Sequence, residues 1–393
     1  MHYLHDKIIL TKDNLLNAGI KLADYSVTPW EVKGEVDYDR LVRDFGTSYI
    51  DQSLLDRVEK HTGEPHFMLK RKVFFSHRDF NWILDKYEKG EKFFLYTGRG
   101  PSGDTHLGHL LPWIFTQYLQ EKFGVELYFQ ITDDEKYMHD RSLTRKQVSE
   151  FSYENILDII ALGFDPEKTF IFKNTEYIKT MYKISTDIAK HVTFSTAKGI
   201  FGFQNSSNIG MIFFPSLQAA TCFLPSELKG KNIPCLIPAA IDQDDYWRGI
   251  AREIAPKLGY YKPAQIHSKF LPALQRGEKM SASKPNTAIF TTDEPEVAEK
   301  KIKSAFTGGR DTIEEHRKHG GNPDVDSAFQ YLYMILEEDD KKISEIEEDY
   351  RAGNLLSGEL KQIAAEKTKV FLKEHQRKRE SAKKTFDKFI LRD

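Results

Sequence analysis

The sequence predicts an α/β fold, a parallel sheet with helices on both faces, followed by an all-helical unit. Three observations carry this. Between residues 92 and 290, short apolar runs alternate with amphipathic helical stretches, the pattern of parallel strands joined by crossover helices. Beyond Asp293 those runs stop and charged helical stretches replace them. Residues 93–113 pass from an apolar run through a glycine-rich turn into a helix, and such a turn is a ready site for phosphate.

A chain of 393 residues calls for two or three units. The first, 1–85, reads as an N-terminal extension. Its segment 27–32 followed by Lys33-Gly34 predicts a β-hairpin turning at that dipeptide, with Trp30 packed over the main body. Residues 71–80 mix basic and aromatic side chains; packing is the plain reading and RNA contact the alternative, with Ser76 as a helix cap. The second unit, 86–291, has strands predicted at 93–97, 125–131, 169–172, 234–238 and 265–270, and helices at 107–123, 146–162 and 242–258. Parallel sheets bind ligands beyond the carboxyl ends of their strands, which here are residues 96–99, 130–135 and 239–243. The third unit, 292–393, has helices predicted at 296–306, 326–338, 343–351 and 357–389. Residues 361–393 carry eleven Lys/Arg against five Asp/Glu. Such a run is usually a solvated face, and on an RNA-binding protein it becomes a phosphate-contacting one.

A net charge of −2 means that any nucleic-acid contact comes from a local patch. Two cysteines, Cys222 and Cys235, provide neither a disulfide framework nor a zinc motif, which fits a reducing, cytoplasmic setting. No apolar run is long enough to span a membrane.

In the glycine-rich stretch, Gly98, Gly100, Pro101, Ser102 and Gly103 break the strand, and His106, Leu107, Gly108 and His109 open the helix. Unpaired N–H groups point outward at a helix start, and two imidazoles three residues apart can both donate to one anion. The spacing matches neither GxGxxG nor a Walker loop. About 170 residues later comes Lys279-Met280-Ser281-Ala282-Ser283, bounded by Gly277 and Pro285. H-x-G-H followed by K-M-S-x-S resembles the two nucleotide-binding motifs of class I aminoacyl-tRNA synthetases.

The runs at 96–102, 132–137, 198–203, 240–244, 279–283 and 308–316 narrow this further. From about Thr28 onward the chain resembles tryptophanyl-tRNA synthetases of the eukaryotic and archaeal type. The resemblance implies a Rossmann-like catalytic domain with a dimerisation insertion, a helical anticodon-binding domain and a homodimer. It implies ATP with Mg²⁺, L-tryptophan and tRNA(Trp) as partners, and no protein-held metal. His106, His109, Lys279 and Ser281 would be catalytic. Thr97, Gly98, Arg99, Gly100, Gly108, Met280 and Ser283 would join them around ATP. Tyr96 and Gln130 would meet the indole N–H. Glu135, with Lys136 beside it, and Gln218 would lie near the ammonium, and Gln243 near the ammonium or carboxylate. Arg310 and Asp311 would touch the anticodon. An indole carries one donor on a large apolar body, so an apolar pocket with one or two acceptors suits it. The second lysine of the usual KMSKS is Ala282 here, and Arg99 would substitute for it.

Read without the resemblance, Tyr96 is a core residue, Gln130 a strand-end polar group, residues 133–135 a solvated loop or cap, and Asp311 part of a helix N-cap region. Three rival functions stand beside the main one. A tyrosyl-tRNA synthetase would be expected to carry an aspartate for the phenol where Gln130 stands. An adenylyltransferase that acts without tRNA would not need the helical unit. A non-catalytic RNA-binding paralogue would not need both histidines, Lys279 and Ser281.

Overall fold

The computed structural model describes residues 37–277, Met280 and 284–393, with the hairpin strands β1 (Ser26–Val27) and β2 (Val32–Lys33). These two pair antiparallel with Val27 opposite Val32, so the chain reverses before Lys33-Gly34 rather than at it. Trp30 lies outside the described residues.

The main sheet has seven strands: β3 (Ser48–Tyr49), β4 (Phe74–Arg78), β5 (Phe94–Arg99), β6 (Glu126–Ile131), β7 (Thr169–Lys173), β8 (Cys235–Ala240) and β9 (Ala264–Ser268). Their spatial order is β3-β4-β9-β8-β5-β6-β7, with β5 to β9 parallel and β3 and β4 antiparallel at one edge. The five parallel strands are those predicted, within a residue or two at each end. The antiparallel pair was not predicted. Ser76 is not a helix cap: it lies buried within β4, its Oγ 3.1 Å from His267 Nδ1 on β9. Buried polar pairs of this kind interrupt the apolar run that marks the other strands. Arg71 is packing and not an RNA contact. Its guanidinium is buried against the Asp340 carboxylate at 2.7 Å and the carbonyls of Tyr333 (2.9 Å) and Glu338 (3.0 Å).

Side chains alternate across the pleat. Phe93, Leu95, Leu127, Phe129 and Ile131 enter one core, and Phe94, Tyr96 and Tyr128 the other. The N-terminal helices α1 (Tyr38–Phe45), α2 (Gln52–Thr62) and α3 (Phe80–Glu88) lead into the sheet. The first core is covered by α4 (Leu107–Phe123) and α6 (Arg145–Ala161), which follow β5 and, after the short α5 (Asp133–His139), β6. The second core is covered by α7 (Ile178–Ala189), α8 (Phe194–Phe201), α9 (Ile209–Ala220) and the segment after β8. The stretch predicted as helical at 242–258 is helical throughout, but as a run of short 3-10, α and π turns, the π-helical part at Trp247–Arg252. Pro256, which lacks an N–H, falls in the last of these turns. The buried Asp244 carboxylate takes Arg78 Nε at 2.9 Å and Gln265 Nε2 at 3.0 Å, which anchors the first turns to the sheet.

The rest is helical: α10 (Pro295–Lys303), α11 (Ile313–His319), α12 (Ser327–Tyr331), α13 (Asp340–Ala352) and α14 (Ser357–Ala382). The stretch predicted as one helix at 326–338 turns π-helical at Leu332–Leu336, and α14 stops seven residues before the predicted end at 389. Helix α14 packs on α6 and α10, and Leu360, Ala364 and Leu372 share the first core with Leu110, Phe115 and Leu119 of α4. Burying each such Leu or Phe contributes roughly 1.5–3 kcal/mol, so this shared core joins the helical part to the sheet. The chain then lies along the outer edge of β7: Ile171 N–H donates to the Phe389 carbonyl, and Leu391 N–H to the Ile171 carbonyl, both at 2.8 Å. The Asp393 carboxylate accepts from the N–H groups of Lys179 (2.7 Å) and Thr180 (3.0 Å) at the start of α7.

Much of the basic excess at 361–393 is used internally. Arg379 is buried, Lys361 donates to the Ala305 carbonyl at 2.6 Å, and Lys367 and Lys369 pair with Glu337 and Glu299.

Candidate active site

The chain order reverses at β5, which has β6 on one side and β8 on the other. Strand β5 pairs with β6 over six residues but with β8 only at Phe94 and Leu95. Beyond Leu95 the two parallel strands part, so a crevice opens where ligands bind in such sheets. Tyr96, Thr97, Gly98, Arg99 and Gly100 line its β5 side, and Gln243 follows the end of β8 on the other.

At the start of the helix after β5, His106 is the N-cap of α4 and its ring stacks on that of His109 at 3.6 Å between centroids; Trp113 continues the column. His109 Nδ1 lies 3.2 Å from the His106 N–H, and its Nε2 lies 3.0 Å from Arg99 Nη1. Both neighbours are donors. Donors thus gather at this helix start, a setting that suits an acceptor such as a phosphate oxygen. Arg99 Nε donates to Asn155 Oδ1 at 2.8 Å, and Asn155 Nδ2 donates to the Gly103 carbonyl at 3.0 Å. The fully buried Asn155 of α6 thus holds both the cation and the glycine loop. Burial lowers the Arg99 guanidinium to about 10, which leaves it charged at neutral pH.

On the β6 side, Tyr96 Oη lies 2.5 Å from Gln130 Oε1 and 3.1 Å from the Gln218 carbonyl. Tyr96 and Gln130 are buried, and Trp247 packs edge-on against the Tyr96 ring at 5.1 Å. The Gln218 side chain is half-buried, and the contact with Tyr96 comes from its backbone. Glu135 is buried and its Oε1 accepts from Lys136 Nζ at 3.1 Å. A β-carbon on Gly100 would fall 2.3 Å from Lys136 Cε and 3.2 Å from Glu135 Oε2, so that glycine lets the β5 loop close on the pair. Gln243 Nε2 donates to Asp242 Oδ2 at 3.1 Å.

A family model for class I tRNA synthetases of the W and Y type matches residues 88–373. The chain belongs to that family. Tryptophan--tRNA ligase of Sulfolobus acidocaldarius is 58% identical over 363 residues, 92% of this chain and 93% of its own. The Pyrococcus abyssi enzyme of the same name is 52% identical over 93% of this chain and 94% of its own. The crystal structure of Plasmodium falciparum tryptophanyl-tRNA synthetase superposes with a TM-score of 0.85 at 43% identity, covering 90% of this chain and 97% of that one.

In this synthetase the second motif is only partly described: Lys279, Ser281 and Ser283 lie outside the described residues. Met280 does not, and it reaches the first motif. A β-carbon on Gly108 would fall 2.9 Å from Met280 Sδ and 3.1 Å from His106 Nδ1. Arg310 and Asp311 are exposed, far along the chain on the loop before α11, where Thr312 and not Asp311 is the N-cap. Arg310 Nε donates to the Gly320 carbonyl at 3.0 Å. The loop is built on Asp326, whose carboxylate accepts from Gly308 N–H (2.8 Å), Thr307 Oγ1 (3.0 Å) and Tyr350 Oη (2.9 Å).

Three residues near the synthetase's crevice escaped sequence reasoning: Asn155, Asn174 and Trp247. Asn174 directly follows β7 at the carboxyl edge of the sheet, and that position was the available signal. It donates from Nδ2 to Asp134 Oδ1 at 2.7 Å and accepts from Gln130 Nε2 at 2.8 Å. Burial raises the Asp134 carboxyl to about 6 despite the bond from Asn174. The acidic run 133–135 is therefore a framework and not a solvated loop: Asp133 holds the Thr175 N–H at 3.1 Å, Asp134 holds Asn174, and Glu135 holds Lys136. Among the described residues no cluster of three or more His, Cys, Asp or Glu could hold a metal ion, and no helix is long and apolar enough to cross a membrane.

Proposed function

We infer that the protein is a tryptophan–tRNA ligase, which activates L-tryptophan with ATP to tryptophanyl-AMP and pyrophosphate and then passes tryptophan to the 3′ end of tRNA(Trp). The observation that carries this reading is the buried Tyr96–Gln130 pair beside Trp247, with Tyr96 on the strand that runs into the glycine loop. It offers hydrogen-bond acceptors in an otherwise aromatic setting, which suits the single N–H of an indole.

The tryptophan carboxylate attacks the α-phosphorus in line, with pyrophosphate leaving, so no protein nucleophile is needed and positioning with charge stabilisation carries the step. Arg99, His106 and His109 donate to phosphate oxygens from the start of α4. Thr97, Gly98, Gly100 and Gly108 let the backbone approach the nucleotide, and Met280 covers it. Lys279, Ser281 and Ser283 act on the phosphates from the second motif, as the family resemblance implies. Mg²⁺ brought with ATP would supply charge neutralisation at the phosphates, while Asp133, Asp134 and Glu135 hold Thr175, Asn174 and Lys136. Glu135 takes the substrate ammonium in place of Lys136 Nζ, with Gln218 and Gln243 at the same end of the pocket. Residues 292–393 bind the anticodon arm through Arg310 and Asp311. The enzyme works in the cytoplasm as a homodimer. Supporting the dimer is an apolar face within residues 86–291, where Tyr182, Phe194 and Ile209 are exposed around a groove of about 230 Å³ lined by Val192, Ile212 and Phe213.

ATP–pyrophosphate exchange with tryptophan or tyrosine supplied separately tests the reading, with His109→Ala as control. Exchange with tryptophan alone, abolished by the substitution, is the expected result. Exchange with tyrosine instead would overturn the pocket assignment.

A further inference from the structure

We propose that Asn174 is a specificity-positioning residue: backed by Asp134, it fixes which way the Gln130 amide points and so keeps an acceptor aimed at the substrate's indole N–H. This deepens the pocket reading above and rests on it.

Hydrogen-bond direction decides which end of the Gln130 amide the substrate meets. Four groups form an unbroken chain, buried up to the half-buried Asp134: Tyr96 Oη to Gln130 Oε1 (2.5 Å), Gln130 Nε2 to Asn174 Oδ1 (2.8 Å), and Asn174 Nδ2 to Asp134 Oδ1 (2.7 Å). The two amides in the middle are symmetric in shape, and each could be turned over by half a rotation. The carboxylate at the far end is not symmetric in this sense, because when ionised it only accepts. It therefore takes the NH₂ of Asn174, which turns the Asn174 oxygen to the Gln130 NH₂, which in turn leaves the Gln130 oxygen facing Tyr96 and the crevice. Tyr96 then spends its one proton inside the pocket and keeps lone pairs for the ligand. Reverse the direction and the pocket presents N–H groups, which an indole N–H cannot use. Asp134 is itself steadied by the Glu135 N–H at 2.8 Å, and Asn174 by its own N–H on the Ile131 carbonyl at 3.0 Å. Gln130 and Asn174 are fully buried, so no water is at hand to supply a substitute partner.

A site built around a donor on its ligand rejects the analogue that lacks it, because its own polar groups are then left unpaired. The discriminating measurement is thus the ratio of kcat/KM in ATP–pyrophosphate exchange for L-tryptophan over L-3-benzothienylalanine, which has sulfur in place of the N–H. Asn174→Leu should cut the wild-type preference at least tenfold, mainly through a higher KM for tryptophan, while the analogue is used as before. Asn174→Ala removes the acceptor that Gln130 Nε2 uses without adding bulk, and it should do the same; it is read if the leucine variant does not fold. A ratio within twofold of wild type in either folded variant overturns the proposal, provided Gln130→Leu collapses the ratio. If Gln130→Leu leaves the ratio unchanged, the pocket reading itself fails and this proposal with it.

Discussion

Arg99 shows how far a single residue can be read from sequence. Its position in the glycine loop and the alanine at 282 mark it as a candidate phosphate contact, but do not say what steadies it. Asn155 does that from the middle of α6, a buried polar residue that helical periodicity can only count as an interruption. Arg99→Ala should lower kcat for pyrophosphate exchange by roughly 10²- to 10³-fold, the effect of removing a preorganised donor from a developing oxyanion. Lysine should not restore it, because an ammonium cannot span Asn155 and His109 as the guanidinium fork does. Asn174 was illegible for a related reason: its role lies in the direction of a hydrogen bond, and only the tertiary partners set that. At Asp244, burial pushes the carboxyl up, yet His267 and Arg78 outweigh this and hold it at about 2. A carboxyl depressed in the folded state contributes stability above its unfolded value near 4, and that contribution is lost as pH falls through the folded value. Asp244→Asn should therefore remove about 2 kcal/mol at neutral pH and flatten the acid-unfolding curve between pH 4 and 2, as followed by circular dichroism.

At the scale of elements, the parallel strands were legible because each is an apolar run bounded by turn residues. Strand β4 was not, since Ser76 and His77 are turned inward to polar partners on and after the sheet. The segment after β8 was legible as helical from its apolar spacing, but its switches between 3-10, α and π turns were not, since they depend on tertiary anchors such as the Asp244 carboxylate on Arg78 and Gln265. In the helical part, the loops are more exacting than the helices. Gly320 has φ of +65°, and a β-carbon there would fall 1.8 Å from the Arg351 carbonyl oxygen. Gly320→Ala should cost at least ~2 kcal/mol, measured as a lower urea midpoint, since strained backbone and backbone contact add. Helix α6 grips two neighbours on successive turns. Asn155 takes the glycine loop, and Asp158 takes His375 (2.9 Å) and Arg379 of α14. Asp158→Ala would leave Arg379 to the part-exposed Glu154 and strip the buried His375 of its partner, at roughly 1–3 kcal/mol of stability in equilibrium unfolding.

For the whole molecule, the two-part plan of sheet and helices follows from sequence texture, but the continuity of their cores does not. Leu372 of α14 and Leu119 of α4 are more than 250 residues apart and share one cluster, and no local pattern reports such a pairing. The dimer is a prediction at this scale. Ile209, 85% exposed at the apolar groove, is the residue to change, and Ile209→Asp should halve the mass seen by sedimentation velocity while the monomer stays folded. The tail along β7 has a consequence for how the chain is made. Ile171 leaves the ribosome some 220 residues before Leu391, which is about 10–40 s of translation. Through that interval the catalytic sheet carries a bare edge, an open template for a neighbouring nascent chain. Polysome-borne chains that stall before residue 389 should therefore pair with one another, and the arrival of residues 389–391 should itself be the step that seals the sheet.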